Sequence, residues 1–375
     1  MIELNADLIN ITGGRPRLQT PALVIDLDAL ERNIAAMAEH ARARRITLRP
    51  HAKTHKSVEI ARRQIAAGAL GICCAKLGEA EALADGGIDS ILITSPVVTD
   101  GGMARLVALN ARIGDLTAVC DNFDVARRLA EAARASGKTL RLLVDIDPGL
   151  GRTGIAPADA PALVEFVAQA EGLEYAGLQC YAGQVQHMES ASERRDASLS
   201  ALRELGALRD RLAAACHAPR ILSGGGTGTF DIDPDARVLT ELQAGSYVFM
   251  DRQYNDVWPG GRAPFETALH VQTTVISANR TGLATTDAGF KAFATDAGAP
   301  AIAQGAPEGA SYFFFGDEQG GIIYSQSARK LAPGDVVRCV VPHCDPTVNL
   351  YDCFHVVRGE TLVGIWPIEG RGRSA

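Results

Sequence analysis

Four places in the 375-residue chain gather side chains able to do chemistry. The first is Arg49-Pro50-His51-Ala52-Lys53-Thr54-His55-Lys56. A lysine amine in a partly desolvated site forms Schiff bases readily, and neighbouring cations lower its pKa by like-charge repulsion. Standing alone, any lysine is more often a solvated surface charge. The second place is Ser223-Gly224-Gly225-Gly226-Thr227-Gly228. Residues without Cβ let several backbone N–H groups approach an anion, and Thr227 adds a hydroxyl; the same string also suits a tight strand-to-helix turn that needs positive φ. The third is His343-Cys344-Asp345, an imidazole and a carboxylate two residues apart beside the apolar run 336–341. In extended chain, residues i and i+2 share a face, so one cation could reach both. The fourth is scattered: Gly151-Arg152-Thr153-Gly154, Tyr181 with His187 nearby, and Gly245-Ser246-Tyr247.

These residues need elements to position them. From Ile46 to about Met250 short apolar runs alternate with Ala-rich amphipathic stretches, the pattern of parallel strands joined by helices. Strands are expected at Ile46–Pro50, Gly71–Cys74, Ser90–Thr94, Leu116–Asp121, Leu140–Asp147, Tyr175–Cys180, Arg220–Ser223 and Ala244–Met250. Eight strands close a barrel, so an α/β fold with a TIM-type (β/α)8 barrel follows. Helical spacing is expected over 58–67, 79–84, 125–135, 160–170 and 198–215, with a further helix before the barrel whose start resembles a capping box at Asp28 and Glu31. After Phe265 the helical signal gives way to β-rich runs at 265–277, 282–288, 312–315, 321–324, 335–341 and 361–366. The strand-like Thr20–Leu27 segment would complete this second domain. The expected division is a barrel over 28–255 and a C-terminal β-rich domain made of 1–27 and 256–375.

In such barrels the active site lies at the carboxyl ends of the strands, and the loops after strands seven and eight commonly hold phosphate. Lys53 follows strand one, Arg152 the fifth, Tyr181 the sixth and the glycine string the seventh. A phosphate cradle opposite a reactive lysine asks for a cofactor that is both phosphorylated and an aldehyde, which pyridoxal 5'-phosphate (PLP) is. The glycine string is not the GxGxxG dinucleotide fingerprint, which opens the first helix of a βαβ unit.

With these motifs in view, the sequence resembles the D-threonine aldolase and D-3-hydroxyaspartate aldolase family. These are alanine-racemase-type (fold-type III) PLP enzymes related to the D-serine dehydratases. The likeness runs from Thr20-Pro21-Ala22-Leu23-Val24-Ile25-Asp26-Leu27-Asp28 through the Arg49 to Lys56 cluster and Gly71-Ile72-Cys73-Cys74 to the glycine string. It continues through Glu241-Leu242-Gln243-Ala244-Gly245-Ser246-Tyr247 to His343-Cys344-Asp345-Pro346-Thr347. The resemblance implies that Lys53 is the Schiff-base lysine, that Arg152 faces the pyridine nitrogen, and that Tyr181 and residues 223–228 hold ring and phosphate, with Gly245, Ser246 and Tyr247 also lining the cofactor. It raises His343 and Asp345 from a chance pair to ligands of a divalent metal, Mn²⁺, Mg²⁺ or Zn²⁺. Relatives that dehydrate D-serine carry cysteine where Asp345 stands, so this chain has the aldolase form, with Cys344 expected to face away from the metal. His187 is the candidate base for the substrate hydroxyl and His51 the second. The implied reaction splits D-threonine or D-3-hydroxyaspartate into glycine and an aldehyde. D-serine or D-3-hydroxyaspartate dehydration is the competing enzyme reading, and a non-catalytic PLP-binding protein the reading from another class.

Bulk properties agree with a small-molecule enzyme. A net charge of -7 with dispersed Lys and Arg gives no footprint for nucleic acid. No apolar run approaches the 18 or so residues of a membrane span. Eight cysteines without CxxC pairs suit reduced thiols, and Met1 to Asn10 carries no visible secretory signal, so the cytoplasm is the expected compartment. A homodimer is expected from the resemblance alone.

Overall fold

The computed structural model describes residues 4–258 and 263–375, so residues 1–3 and 259–262 of the expected β-rich domain lie outside the described residues. Strand β1 (Ala22–Asp26) runs directly into helix α1 (Leu27–Arg44). Asp26 Oδ1 accepts the Ala29 N–H at 3.1 Å, so the cap lies before Asp28.

The barrel follows in chain order: β2 (Thr47–Leu48), α2 (Val58–Ala66), β3 (Ile72–Cys74), α3 (Leu77–Asp85), β4 (Ser90–Ile93), α4 (Asp100–Arg112), β5 (Asp115–Cys120), α5 (Phe123–Ser136), β6 (Leu140–Asp145), α6 (Ala160–Gln169), β7 (Leu173–Cys180), α7 (Ala191–Ala214), β8 (Ile221–Gly224) and β9 (Glu241–Leu242). The eight strands are parallel in the order β2-β9-β8-β7-β6-β5-β4-β3, and a parallel bridge between His51 and Cys73 closes the ring. The expected (β/α)8 architecture is present. Cys73, Leu92, Val119, Leu143 and Ala176, one from each of β3 to β7, form one buried layer. Side chains cap the starts of α5 and α7: Asn122 accepts the N–H groups of Asp124 and Val125, and Ser190 that of Glu193.

Two details differ from the sequence reading. The closing strand is Glu241–Leu242, whereas the expected strand over 244–250 contains a 3-10 turn at Ser246–Val248. Tyr247 to Met250 are fully buried, and an apolar run of that length marks burial without choosing between strand and turn. Helix α4 was not anticipated because it begins Asp-Gly-Gly; the Thr99 side chain, which accepts the Gly102 N–H, starts it.

The C-terminal part consists of α8 (Arg252–Asp256), β10 (Leu269–Arg280), β11 (Leu283–Thr286), β12 (Ala301–Gln304), β13 (Ser311–Phe314), β14 (Gly320–Ile323), β15 (Val336–Val340), α9 (Cys344–Val348), β16 (Cys353–Arg358) and β17 (Thr361–Pro367). The strands are ordered β13-β14-β11-β10-β1-β16-β17, with β15 pairing both β10 and β12. β1 lies antiparallel to β10 and parallel to β16, so the N-terminal strand does complete this sheet. Strands β12 and β16 were missed: the first is short and flanked by Gly and Pro, and the second carries Cys and His among its apolar residues.

The chain forms two compact units, one of residues 1–36, 54–57 and 246–371, the other of 37–53, 58–245 and 372–375. Among the described residues no helix is long and apolar enough to cross a membrane.

Candidate active site

Within the barrel unit the strand ends surround a cavity of about 200 Å³ lined by His51, Lys53, Ala75, Thr94, Ser95, Arg152, Thr153, Gln179, Tyr181 and Gln243. Sequence reasoning singled out four of these, His51, Lys53, Arg152 and Tyr181, and the fold brings them together. Lys53 lies in a 3-10 turn, Ala52–Thr54, immediately after the barrel closure. Its backbone N–H donates to His51 Nδ1 at 3.4 Å, while His51 Nε2 meets Thr94 Oγ1 at 3.1 Å. Tyr181 presents its ring to Arg152, whose guanidinium carbon lies 5.2 Å from the ring centroid.

Three carboxylates shape the loop that carries Arg152. Asp147 Oδ1 accepts the N–H groups of Gly149, Leu150 and Gly151 at 2.8–3.0 Å. Asp145 Oδ2 accepts the Thr153 hydroxyl at 2.8 Å, and Asp121 Oδ2 accepts the Gly154 N–H at 2.9 Å. Gly154 has φ +103°, and a Cβ there would lie 2.4 Å from the Asp147 backbone nitrogen, so the tight return requires glycine.

Sequence reasoning missed the polar floor of the cavity. Gln243 Nε2 donates to Gln179 Oε1 at 3.1 Å and to Ser223 Oγ at 2.8 Å. Gln179 Nε2 in turn donates to Asp145 Oδ1 at 2.9 Å and to the Thr94 carbonyl at 3.1 Å. Burial pushes the Asp145 carboxyl up to about 6, against the lowering effect of the Gln179 and Thr153 hydrogen bonds. The available signal was a polar residue inside an otherwise apolar strand: Asp145 ends Leu-Leu-Val, and Gln179 sits between Leu178 and Cys180.

Arg49 differs from its expected part in a cationic cluster. Its Nε lies 3.2 Å from Glu241 Oε1 in a buried ion pair joining the ends of β2 and β9, and its Nη1 donates to Ser90 Oγ at 3.0 Å. The Glu241 carboxylate therefore offsets its charge. His187, in the half-buried turn after the 3-10 segment Gly183–Val185, is not among the residues lining the cavity.

The glycine string begins at the last residues of β8 and is tied down by protein groups. Gly228 donates its N–H to Gln186 Oε1 at 2.9 Å, and Gly226 donates to the Asp233 carboxylate. Ser223 and Thr227 are buried. Gly245 ends the barrel unit, while Ser246 and Tyr247 belong to the other unit, where Ser246 Oγ is 3.5 Å from Thr54 Oγ1 and Tyr247 is fully buried.

In that other unit His343 is the last extended residue before α9, so Asp345 stands in the first helical turn and not at i+2 of a strand. The buried Asp251 dictates this by accepting the Cys344 N–H at 2.8 Å, which caps the helix. Cys344 is fully buried, yet it does not face away from Asp345: its Sγ is 3.3 Å from Asp345 Oδ1. Burial and the neighbouring carboxylates hold its thiol well above the ordinary cysteine value. A residue the sequence did not suggest, Asp296, meets His343 Nδ1 with Oδ2 at 2.6 Å. Among the described residues no group of three or more His, Cys, Asp or Glu side chains is arranged to hold a metal.

Residues 25–253 match the alanine racemase N-terminal domain family, and residues 268–357 the putative serine dehydratase domain family. The chain is 39% identical over 360 residues to a D-threonine aldolase of Arthrobacter sp., covering 96% of this chain and 94% of that one. It is 36% identical over 364 residues to a 3-hydroxy-D-aspartate aldolase of Paracoccus denitrificans, covering 95% and 93%. The crystal structure of a D-threonine aldolase from Filomicrobium marinum superimposes with a TM-score of 0.91 at 39% identity over 95% of this chain and 97% of that one. The chain belongs to the D-threonine and 3-hydroxy-D-aspartate aldolase family. As a member it is a carbon–carbon lyase of the aldolase type, built on the alanine-racemase-type barrel that carries PLP. The cavity fits that cofactor: it offers one lysine amine, a guanidinium stacked on an aromatic ring, and a polar floor that leads by one hydrogen bond to the glycine turn.

Proposed function

We propose that the protein is a PLP- and divalent-metal-dependent aldolase that cleaves D-threonine or D-3-hydroxyaspartate to glycine and an aldehyde. The observation that carries this reading is the convergence of Lys53, Arg152 and Tyr181 on one cavity at the strand ends of a chain whose relatives are aldolases. Bound PLP would supply a carbonyl for the substrate amine and a sink for the electron pair released when the Cα–Cβ bond breaks. Lys53 holds the cofactor through its amine. Arg152, a guanidinium that would face the ring nitrogen, would disfavour protonation there and weaken the sink, so the reaction would need assistance at the substrate hydroxyl. The turn Ser223, Gly224, Gly225, Gly226, Thr227 and Gly228 receives the phosphate; Gly226 and Gly228, whose N–H groups are taken up within the protein, give it shape. Gly245, Ser246 and Tyr247 support the cofactor from the segment after β9.

We assign the metal to His343 and Asp345, with water and substrate oxygen completing the coordination of Mn²⁺, Mg²⁺ or Zn²⁺. The donor set supports this: Asp296 takes the Nδ1 side of His343, which leaves Nε2 as the ligand atom, the arrangement found where a carboxylate orients a metal-binding histidine. His187 and His51 are the two candidates to take the hydroxyl proton. His51 lines the cavity, and exchanging each for Asn separates them, since only loss of the base flattens the acidic limb of the pH–rate profile. The same reading makes the protein a cytoplasmic homodimer; eight cysteines outside any disulfide among the described residues suit a reducing compartment, and light scattering after size exclusion tests the dimer.

Borohydride reduction followed by peptide mapping tests the cofactor assignment. Label on the peptide containing Lys53 supports it, and label on another lysine, or none in a PLP-loaded sample, ends it.

A further inference from the structure

Behind the glycine turn, away from the cavity, lies a fully buried carboxylate with no part in the chemistry described. Asp233 Oδ1 accepts the Ser198 hydroxyl at 2.5 Å, and Oδ2 accepts the Thr229 hydroxyl at 2.7 Å; the Gly226 N–H donates to the same carboxylate. Gln186, also buried, works beside it. Its Oε1 accepts the Gly228 N–H at 2.9 Å, and its Nε2 donates to Thr229 Oγ1 at 3.1 Å and to the Ala182 carbonyl at 3.3 Å.

The glycines of the turn lie flat against these two residues. A Cβ on Gly225 would sit 2.4 Å from Asp233 Oδ2, one on Gly226 2.4 Å from Gln186 Oε1, and one on Gly228 2.0 Å from the Gln186 carbonyl oxygen. Gly228 thus has no room for a Cβ beside the Gln186 backbone, while Gly225, at φ +74°, and Gly226 pack against the ends of the Asp233 and Gln186 side chains. Burying a carboxylate is expensive, and here burial pushes Asp233 up to about 7 although three donors oppose the shift. A scaffold needing only a filled core would be served better by an apolar side chain.

We infer that Asp233 and Gln186 are positioning residues that hold the turn in its anion-receiving shape before the cofactor arrives, and so set how strongly the protein prefers phosphorylated pyridoxal. The inference rests on the reading of residues 223–228 as the phosphate site. By binding Gly226 and Gly228 from behind, the pair fixes two of the turn's peptide planes, which in turn fixes the direction of the Thr227 amide between them. A preformed anion site does not have to order a glycine-rich segment when the ligand binds.

The test compares the affinities of PLP and unphosphorylated pyridoxal for the full chain stripped of cofactor with hydroxylamine, read by absorbance titration. Asp233→Ala should weaken PLP about tenfold or more, equivalent to at least about 1.4 kcal/mol, while leaving pyridoxal unchanged. Asp233→Asn, which keeps an acceptor for Gly226 and can exchange roles with the Ser198 hydroxyl, should restore PLP affinity to within a few-fold. Should Asp233→Ala not fold, Gln186→Met, close in size but without the acceptor for Gly228, should show the same selective loss. Equal losses for both ligands, or no loss in folded variants, would overturn the inference. Thr227→Val separates the two levels of the argument. If wild type favours PLP and Thr227→Val reduces that preference while the Asp233 and Gln186 variants keep it, the phosphate site stands and the inference fails. If wild type binds the two ligands alike, or Thr227→Val leaves the preference intact, both fail.

Discussion

Replacing Glu241 by Gln removes one charge from a buried pair at almost constant volume. Arg49 and Glu241 expose only 4% and 2% of their side chains, and Arg49 Nε lies 3.2 and 3.4 Å from the two carboxylate oxygens. Removing one partner of such a pair costs about 3–5 kcal/mol because the other is left as an uncompensated buried charge. Arg49 retains Ser90 Oγ, which itself donates to Asp115 at 2.6 Å, so the lower end, about 3 kcal/mol, is expected. For a unit of this barrel's size that corresponds to roughly 6–12 °C in melting temperature. The pair joins β2 to β9, and Lys53 follows Arg49 by four residues, so the variant should also shed PLP more readily. Far-UV circular dichroism melts with PLP absorbance recorded in parallel provide the readout. The double variant Arg49→Met/Glu241→Leu should recover most of the loss, because apolar replacement removes the charge instead of stranding it. A Glu241→Gln melt within about 1 °C of wild type, or a double variant worse than the single, would refute this reasoning. A change confined to the pH–rate profile would return Arg49 to its expected part as a cation acting on Lys53.

Lys53→Ala should abolish turnover, whereas Lys56→Ala should retain measurable activity; equal loss in both would remove the distinction drawn between them. EDTA should abolish activity while leaving PLP absorbance largely intact, Mn²⁺ or Mg²⁺ should restore it, and His343→Ala or Asp345→Ala should reproduce the chelated state. Asp296→Ala should weaken Mn²⁺ binding about 10- to 100-fold in a direct titration, as loss of a carboxylate behind a metal-bound histidine does. Burial pushes the Asp145 carboxyl up to about 6, from the ordinary aspartate value of 3.8, so the folded state binds the extra proton and stability falls as pH rises from about 4 to about 6. The full cost, on the order of 3 kcal/mol, persists above that range, and Asp145→Asn should flatten the fall in melting temperature measured between pH 4 and 7.

The barrel was legible because its strands are buried on both faces and read as short apolar runs between amphipathic helices, a contrast that survives without any knowledge of partners. The closing strand was not, since Glu241–Leu242 is only two residues long and the adjacent run ending at Met250 is more apolar than the strand itself. Lys53, Arg152 and Tyr181 could be found because each sits where a recognisable strand ends. Partners far apart in sequence left no such trace: Glu241 is 192 residues from Arg49, and Asp296 is 47 residues from His343. The spacing of His343 and Asp345 suggested a shared strand face, but the cap supplied by Asp251, 93 residues before Cys344, turns the chain into a helix at that point. Asp145 and Gln179 were visible as polar residues in apolar strands; what they hydrogen-bond to could be seen only in the fold.

The most direct test of the central claim is the product made from D-3-hydroxy amino acids by the PLP- and Mn²⁺-loaded protein. An aldolase keeps the C3 oxygen and converts it to a carbonyl, whereas dehydration expels it; with Asp345 as the proposed carboxylate ligand, a bound metal would be only moderately acidic and so would favour loss of the O–H proton over cleavage of the C–O bond. D-threonine should give glycine and acetaldehyde, or D-3-hydroxyaspartate glycine and glyoxylate, in equal amounts with little ammonia, and L-threonine should be inert. Stoichiometric ammonia and keto acid from D-serine, with no glycine from any 3-hydroxy substrate, would contradict the account.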